Sequence, residues 1–266
     1  MDKVKQKAQA AWQAADYAKF ATSLERGLDD FVPRLSIDKG QSVLDVACGT
    51  GNFAMRAAAL GAKVTGIDFN PNALAVAEER AEAAAFDIHF DQGDIESMPY
   101  PSNSFDWAVS VFGIMFAINS EAAASELTRV IKPRGQYAIT SWTPDSLVGD
   151  LARTLASYKS AGPGTARTSN WGDEVTILKL LGRFSSELRC IKRMWRYEFP
   201  FGSDGVVDFF RRYSGSHIPL FAELDADGKR ALSADLKRVW DDHNQATDGT
   251  MVADAEYLEV VGTVKT

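Results

Sequence analysis

The chain has 266 residues, a formal net charge of −7 and a pI near 5.1. That length suits one large α/β domain with an elaboration, whose core needs neither disulfides nor a metal. The acidic balance argues against nucleic acid as a partner, and two cysteines (Cys48, Cys190) make neither a disulfide framework nor a zinc site. No run reaches the roughly 18 apolar residues of a membrane span, and the amino terminus lacks the apolar core of a signal peptide. The expectation is therefore a cytoplasmic protein with no membrane partner. The sequence carries no signal for an oligomeric state. One stretch runs against the overall charge: residues 151–200 hold nine Lys/Arg against four Asp/Glu, which reads as a solvated face.

Taken in order, residues 3–35 read as helical. Trp12, Ala15, Tyr17 and Phe20 are apolar points on a first helix. Thr22 and Glu25 have the spacing of a capping box for a second, which carries Leu24, Leu28, Phe31, Val32 and Leu35 and is limited by Pro33. A short apolar run, Val43-Leu44-Asp45-Val46, then leads through Ala47-Cys48 into Gly49-Thr50-Gly51. A helical run starting near Phe53 follows. Strand, glycine turn and helix open a βαβ unit. The alternation continues: strand 63–67, an alanine-rich helix from Pro71 to Ala85 capped by Asn70, strand 87–91, strand 107–112, helix 121–131, and strand 137–142. Such alternation means a parallel sheet with helices on both faces. Past Trp142 the pattern loosens. Residues 146–160 are helical, 161–170 form a loop, and 173–182 form a short helix. A strand spans 187–201, helices span 204–213 and 228–245, and a last strand spans 257–264. Asp225-Ala-Asp227-Gly228 starts a helix; its later positions lack calcium ligands.

Three carboxylates fall at the ends or in the first turns of successive strands. Asp45 lies inside the first, Asp68 ends the second, and Asp94 follows the third in Gly93-Asp94-Ile95. In an open α/β sheet that edge is where ligands bind. The glycines permit a tight turn and close backbone approach, and the helix after them points free N–H groups at an anionic part of a ligand.

This set resembles the class I S-adenosylmethionine (SAM)-dependent methyltransferases over roughly residues 40–142. The motifs are Leu-Asp-Val-Ala-Cys-Gly-Thr-Gly, Val-Thr-Gly-Ile-Asp, Gly-Asp-Ile-Glu-Ser-Met-Pro-Tyr, Ser-Phe-Asp-Trp-Ala-Val-Ser and Glu-Leu-Thr-Arg-Val-Ile-Lys-Pro-Arg-Gly. The last three look most like the small-molecule branch that includes the ubiquinone and menaquinone methyltransferases. Arg134 departs from it, standing where that branch has a second glycine, and reads as a changed turn. The resemblance implies a Rossmann-like sheet of seven strands, mostly parallel. Residues 1–40 would be an N-terminal helical segment, 41–145 the SAM-binding core, and 146–266 the acceptor-side cap with the last strands.

The resemblance also implies roles. Asp68 would take both ribose hydroxyls, since a carboxylate offers two oxygens to a diol. Asp45 would bind the ammonium of the methionine tail. Ala47, Gly49, Thr50, Gly51 and Asn52 would bring backbone to the cofactor, with Phe69 and Asn70 beside the ribose. Gly93, Asp94 and Ile95 would hold the adenine, and Ser110, Val111 and Phe112 the methyl side. Phe116, Trp142 and Phe210 are candidates to contact a partly apolar or aromatic small molecule. Methyl transfer has no obligatory catalytic residue, and a base is needed only if the acceptor loses a proton. His217 is the base candidate and Tyr213 the second; His89 and His243 read as structural. The fourth strand ends in Ser-Val-Phe-Gly and lacks the Asn/Asp-Pro-Pro-Tyr/Phe run of enzymes that methylate nucleic-acid amines. Two other readings stay open at this stage. One is an NAD(P)-binding oxidoreductase, because Gly49, Gly51 and Ala54 also fit Gly-x-Gly-x-x-Ala. The other is a SAM-binding protein without turnover.

Overall fold

The structure is a computed structural model that describes residues 3–13, 16–159 and 171–266. The expected loop at 161–170 lies outside them, as does Ala15. The chain begins with α1 (Lys3–Gln13), α2 (Tyr17–Thr22), α3 (Glu25–Phe31) and a 3-10 turn (Val32–Leu35). The alternating part follows: β1 (Ser42–Val46), α4 (Asn52–Ala59), β2 (Lys63–Asp68), α5 (Pro71–Ala83), β3 (Ile88–Gln92) and β4 (Phe105–Val111). A 3-10 turn (Ile114–Phe116), α6 (Ser120–Arg129) and β5 (Ile131–Trp142) complete it. Then come α7 (Leu147–Ser157), α8 (Glu174–Leu181), β6 (Ser185–Phe199), α9 (Ser203–Tyr213), α10 (Ile218–Glu223), α11 (Ala226–His243) and β7 (Met251–Val264).

The sheet has seven strands in the order β3-β2-β1-β4-β5-β7-β6. The first five are parallel, and β7 runs antiparallel between β5 and β6. The order reverses at β1, whose neighbours are β2 and β4. The crevice beyond the carboxyl ends of those strands is therefore the switch point where such sheets bind ligands. Both faces are covered. Residues of α3, α4, α7, α9 and α11 pack on one, and those of α6 and α8 on the other. Alanines such as Ala57, Ala77 and Ala123 are fully buried, and their small side chains let these helices lie close to the strands.

The helix starts follow ordinary capping chemistry. Asn70, Asn119, Asp173 and Asp225 each accept a backbone N–H from two or three residues on. Asp225 thus starts α11, as expected. Four features differ from the sequence reading. The first helix is broken, and Tyr17 and Phe20 sit on α2, which Asp16 caps. Thr22 and Glu25 form no capping box. Thr22 closes α2 through the Lys19 carbonyl, and Leu24 precedes α3 without a side-chain cap. Lys132-Pro133 does not end a helix before a separate strand. Ile131 already pairs with Phe105, and the next pair is Trp107 with Gln136, so residues 132–135 bulge with Arg134 at φ +64°. The changed turn at Arg134 is this bulge. Finally, α10 lay unread between His217 and Asp225, a two-turn segment too short for periodicity to mark.

The last two strands are longer than expected. Their pairing runs from Ser185–Val264 to Phe199–Met251, so both extend past the tips of the parallel strands. Helices α9–α11 join them, as an insertion above the sheet. At the other end of β7 the sheet is tightly packed. Tyr137 pairs with Gly262, its ring covers that glycine, and its hydroxyl meets Ser185 Oγ at 2.6 Å. A Cβ on Gly262 would lie 2.2 Å from Tyr137 Cζ. Gly262→Ala is expected to cost about 1–3 kcal/mol by overpacking, measured as a lower urea midpoint with unchanged m. An unchanged midpoint would mean that Tyr137 has room to swing aside.

Candidate active site

The first tip is the turn after β1. Ala47, Gly49 and Gly51 all have positive φ (57°, 53° and 75°), so the backbone coils tightly enough for Gly51 to cap α4. The Gly51 N–H reaches the Cys48 carbonyl at 2.9 Å. Tyr17 lies on this turn: a Cβ on Gly49 would be 2.5 Å from the Tyr17 ring. Here the absence of a side chain is what permits the contact. Arg80 of α5 holds the turn from outside, donating to the Thr50 carbonyl at 2.8 Å and to Asn52 Oδ1 at 2.5 Å.

Asp45 and Asp68 stand under the turn, at 2 % and 6 % exposure. Asp68 Oδ2 accepts the Gly49 N–H and Oδ1 the Asn70 N–H, each at 2.8 Å. One carboxylate thereby ties the first tip to the second. Burial raises its pKa even against these backbone donors. Among the described residues Asp45 receives one hydrogen bond, from the Ala54 N–H to Oδ2 at 3.0 Å. Burial, with the Asp68 charge adding to it, pushes Asp45 up to about 8. A buried carboxylate with one donor is a group still suited to a cation.

The third tip joins through its backbone: the Gly93 N–H donates to the Asp68 carbonyl at 2.9 Å. Asp94 Oδ1 accepts the Glu96 N–H at 2.9 Å, and its other oxygen meets Lys5 Nζ at 2.6 Å. Lys5 also reaches Glu96 at 2.5 Å. Glu96 in turn accepts the N–H groups of Ile118 and Asn119 (2.7 and 2.9 Å). Ile95 packs its apolar side on the core of the α6 face.

Helix α1 and Tyr17 form a roof over these tips. Gln9 Nε2 donates to the Phe69 carbonyl at 2.6 Å, and Asn70 Nδ2 to the Trp12 carbonyl at 3.2 Å. The Trp12 ring meets Tyr17 and Phe116 edge-on, at centroid distances of 5.6 and 5.0 Å. Burial, then the charges of Asp68 and Asp45, raise the Tyr17 phenol above its usual range.

The end of β4 closes the site on the other side. Phe112 has φ +54° and donates its N–H to the Thr140 carbonyl and hydroxyl, both at 3.1 Å. Its ring stacks on Trp142 at 3.7 Å with 7° between planes, and meets Trp195 and Tyr257 edge-on. The expectation for Ser110 changes here. Its side chain is fully buried and spent on backbone, donating to the Val46 carbonyl (2.8 Å) and accepting the Ile114 N–H (2.9 Å). Ser110 ties β4 to β1. Phe210 is buried in the core under α9, packed on Phe20, Tyr197, Trp240 and His217, so it is no open wall.

His217 precedes α10 and is 3 % exposed. Its Nδ1 lies 3.0 Å from Ser214 Oγ and 3.1 Å from Ser216 Oγ. Both hydroxyls donate or accept, so either ring tautomer fits. Nε2 is buried without a partner among the described residues. Burial lowers the pKa to about 4, leaving the ring neutral at pH 7. The neighbouring Gly215 touches Trp12, which puts this cluster beside the roof: a Cβ there would lie 2.6 Å from the indole. Tyr213 does not join it. Its ring lies between Lys19 (5.3 Å) and Phe209 (5.2 Å), at the seam of α2 and α9. His89 pairs with Asp91 and His243 with Asp150, both at 3.0 Å and in surface positions.

The three tips therefore converge, with Phe112, Phe116 and Trp142 beside them. Sequence reading missed Lys5, Gln9, Arg80 and Glu96, polar residues distant in sequence from the motifs they brace. The Gly-Asp-Ile-Glu string did contain Glu96. Among the described residues no cluster could hold a metal ion, and no helix is long and apolar enough to cross a membrane.

Known proteins match this arrangement. Residues 37–180 fit the family model described as "Methyltransferase domain". An uncharacterized protein of Mycobacterium tuberculosis is 30 % identical over 251 residues, 94 % of this chain and 91 % of that protein. The demethylmenaquinone methyltransferase of Thermus thermophilus is 35 % identical over 113 residues, 41 % of this chain and 51 % of its own. The crystal structure of the YcgJ protein of Bacillus subtilis superposes with a TM-score of 0.62 at 18 % identity, over 91 % of this chain and 99 % of that one, and shares the fold.

The raised Asp45 pKa has a consequence for the ligand-free protein. An acid whose folded pKa exceeds its unfolded value holds its proton more tightly when folded. Its contribution is then fully present below the unfolded pKa, 3.8, and is lost as pH rises toward about 8. Asp45→Asn is expected to remove the part of the Tm decline between pH 5 and pH 8 that this group causes, as followed by thermal unfolding without ligand. Parallel Tm–pH curves for the two proteins would mean that Asp45 is already ionised.

Proposed function

The chain belongs to the methyltransferase-domain family and its cofactor is S-adenosylmethionine; from that premise we propose that it methylates a small, partly apolar or aromatic acceptor by in-line displacement in the crevice at the tips of β1, β2 and β4. The observation that carries the assignment of the crevice is the pair of buried carboxylates, Asp45 and Asp68, under a turn whose Gly49 has no room for a side chain.

The residues fit that cofactor. Asp45, buried and with a single donor among the described residues, offers a place for the ammonium of the methionine tail. Asp68 already accepts two N–H groups, and its remaining lone pairs suit the ribose diol. Asp94 and Ile95 present an acceptor and an apolar face suited to adenine. The backbone of Ala47, Gly49, Thr50, Gly51 and Asn52 lines the approach, with Phe69, Asn70 and Gly93 beside it.

The cofactor supplies an already activated methyl group on a sulfonium. The chain's contribution is placement. Phe112, Trp142 and Phe116 offer apolar surface for an acceptor, and Trp12 and Tyr17 keep water from the crevice. The acceptor named for the Thermus thermophilus relative, a demethylmenaquinone, is of this apolar aromatic kind. Alignment of attacking atom and methyl group lowers the barrier by effects that reach about 7–11 kcal/mol. The acceptor's lone pair forms the new bond to the methyl carbon while the old bond's electrons return to sulfur. Where the acceptor carries a proton, His217 Nε2, buried and without a partner among the described residues, is the candidate to accept its hydrogen bond. At a pKa of about 4 it is a weak base, better suited to orient that proton than to hold it.

Asp68→Ala is expected to weaken SAM at least tenfold, about 1.4 kcal/mol, in calorimetric titration. Unchanged affinity would relocate the ribose. Binding the ammonium favours the charged form of Asp45, so titration near pH 7 in buffers of different ionisation enthalpy is expected to show release of a proton that Asp45→Asn abolishes. Identical proton release in the two proteins would assign the ammonium elsewhere. Turnover across a library of phenols, amines and quinols then tests methylation itself: product and S-adenosylhomocysteine in equal amounts support it. SAM binding with no turnover of any acceptor would leave a cofactor-binding protein.

A further inference from the structure

A cavity of about 470 Å³ lies between α3 with its 3-10 turn and the outer strands β6 and β7. Of the residues named around the crevice it shares Trp195 and Tyr257, which pack behind the Phe112 ring. Five cations line it (Arg26, Arg34, Lys192, Arg193 and Arg196) against one carboxylate, Asp30. The carboxylates around it are shared. Arg34 and Arg193 both lean on Glu259, at 2.7 and 3.0 Å, and Arg26 and Arg196 both lean on Glu198. Lys192 meets Glu256 at 3.0 Å, and Asp254 is 3.6 Å from Arg196. Four guanidiniums, with five N–H donors each, thus divide mainly two carboxylates.

Donors are left over. Arg193 Nε lies 3.0 Å from Glu259 in a geometry that makes no hydrogen bond, so this buried N–H is without a hydrogen-bond partner among the described residues, while the side chain as a whole is partly exposed. Trp195 forms part of the lining at 1 % exposure, and its indole N–H is also without a partner. Gly27 makes that position possible: a Cβ there would lie 2.2 Å from Trp195 Cε2. A buried donor left unpaired costs about 1–3 kcal/mol, so such groups are ordinarily matched by a partner.

We propose that this cavity is a second binding site, for a small molecule bearing a carboxylate or phosphate group, held by Arg193 and Arg26 with the Trp195 N–H as a neutral donor. A guanidinium presents its donors in the fork that planar and tetrahedral oxyanions accept. Glu259 takes two donors of Arg34, and Glu198 takes one each of Arg26 and Arg196, which holds the guanidiniums in place and leaves part of their five donors each for a ligand. The site has a route to the crevice. Trp195 and Tyr257 meet the Phe112 ring at 4.8 and 5.7 Å, and Phe112 carries the stack with Trp142. An effect on acceptor affinity would rest on the proposed methyl transfer; the binding itself does not.

The test is calorimetric titration of the SAM-saturated protein with inorganic pyrophosphate and, separately, with citrate, at two salt concentrations. Saturable binding of one probe at low-millimolar concentration or tighter is expected. Preference for pyrophosphate assigns a phosphate ligand and preference for citrate a carboxylate. Arg193→Gln is expected to weaken that probe at least about tenfold and to leave SAM affinity unchanged. Arg26→Gln, on the exposed side of α3, repeats the test should Arg193→Gln fail to fold. Trp195→Phe is expected to abolish a fluorescence change on probe binding. The proposal is overturned if neither probe binds, if both arginine variants bind as the parent does, or if the probe is displaced by SAM.

Discussion

The Asp68 carboxylate governs the geometry of the crevice. It ends β2, yet it accepts the Gly49 N–H from the turn after β1 and the Asn70 N–H from the start of α5. Its backbone carbonyl takes the Gly93 N–H from the turn after β3. One residue therefore registers three strand tips against each other. Such a carboxylate must be buried to do this, and burial is what raises its pKa. The same low-dielectric setting strengthens any hydrogen bond it makes to a ligand. Structure and binding thus draw on one group, and on the lone pairs that two backbone donors leave.

Around that centre the chain stores local strain. Ala47 and Phe112, neither of them glycine, both hold left-handed backbone at the tips of β1 and β4. Each costs of order 1–3 kcal/mol and persists only where the surroundings enforce it. Here the enforcement is visible. Ser110 pins the Val46 carbonyl, Thr140 pins the Phe112 N–H, and Gly113 lies so close to Ala47 that a Cβ would be 2.5 Å from its side chain. The strain turns the Phe112 ring onto Trp142, so that β4 ends in an aromatic surface instead of continuing its pleat. A serine read from sequence as a ligand-facing residue is in fact part of the clamp.

Much of this was legible in the sequence. The alternation of apolar runs and helical periods gave the parallel core, because the central strands β1 and β4 are buried on both faces and each helix on one. The carboxylates were legible because an acid inside or at the end of a buried strand has no structural reason to be there unless something satisfies it. What escaped reading was made by long-range contact. Lys5 bridges Asp94 and Glu96 from about ninety residues away, and Arg80 braces a turn thirty residues earlier. No periodicity marks a lysine for that task. The broken first helix escaped because Trp12, Tyr17 and Phe20 have helical spacing whether or not the backbone is continuous. Tertiary contacts with Asn70, Gly49 and Phe210 decided otherwise.

The basic stretch between 151 and 200 shows the same limit from the other side. Read as composition it was a solvated face, and Lys192 and Arg196 do reach solvent. Arg193 does so less, its side chain 34 % exposed against 63 % and 49 %, because strand alternation puts it with Ile191, Trp195 and Tyr197 on the face that α3 covers. There it finds Glu259, the one acid of β7 that the antiparallel register sets on that face, opposite Ile191. A period of two therefore separates ordinary surface charge from charge held inside the fold. Arg193 Nε and the indole N–H of Trp195 are two of the buried groups left without a hydrogen-bond partner among the described residues, and both residues line the same cavity.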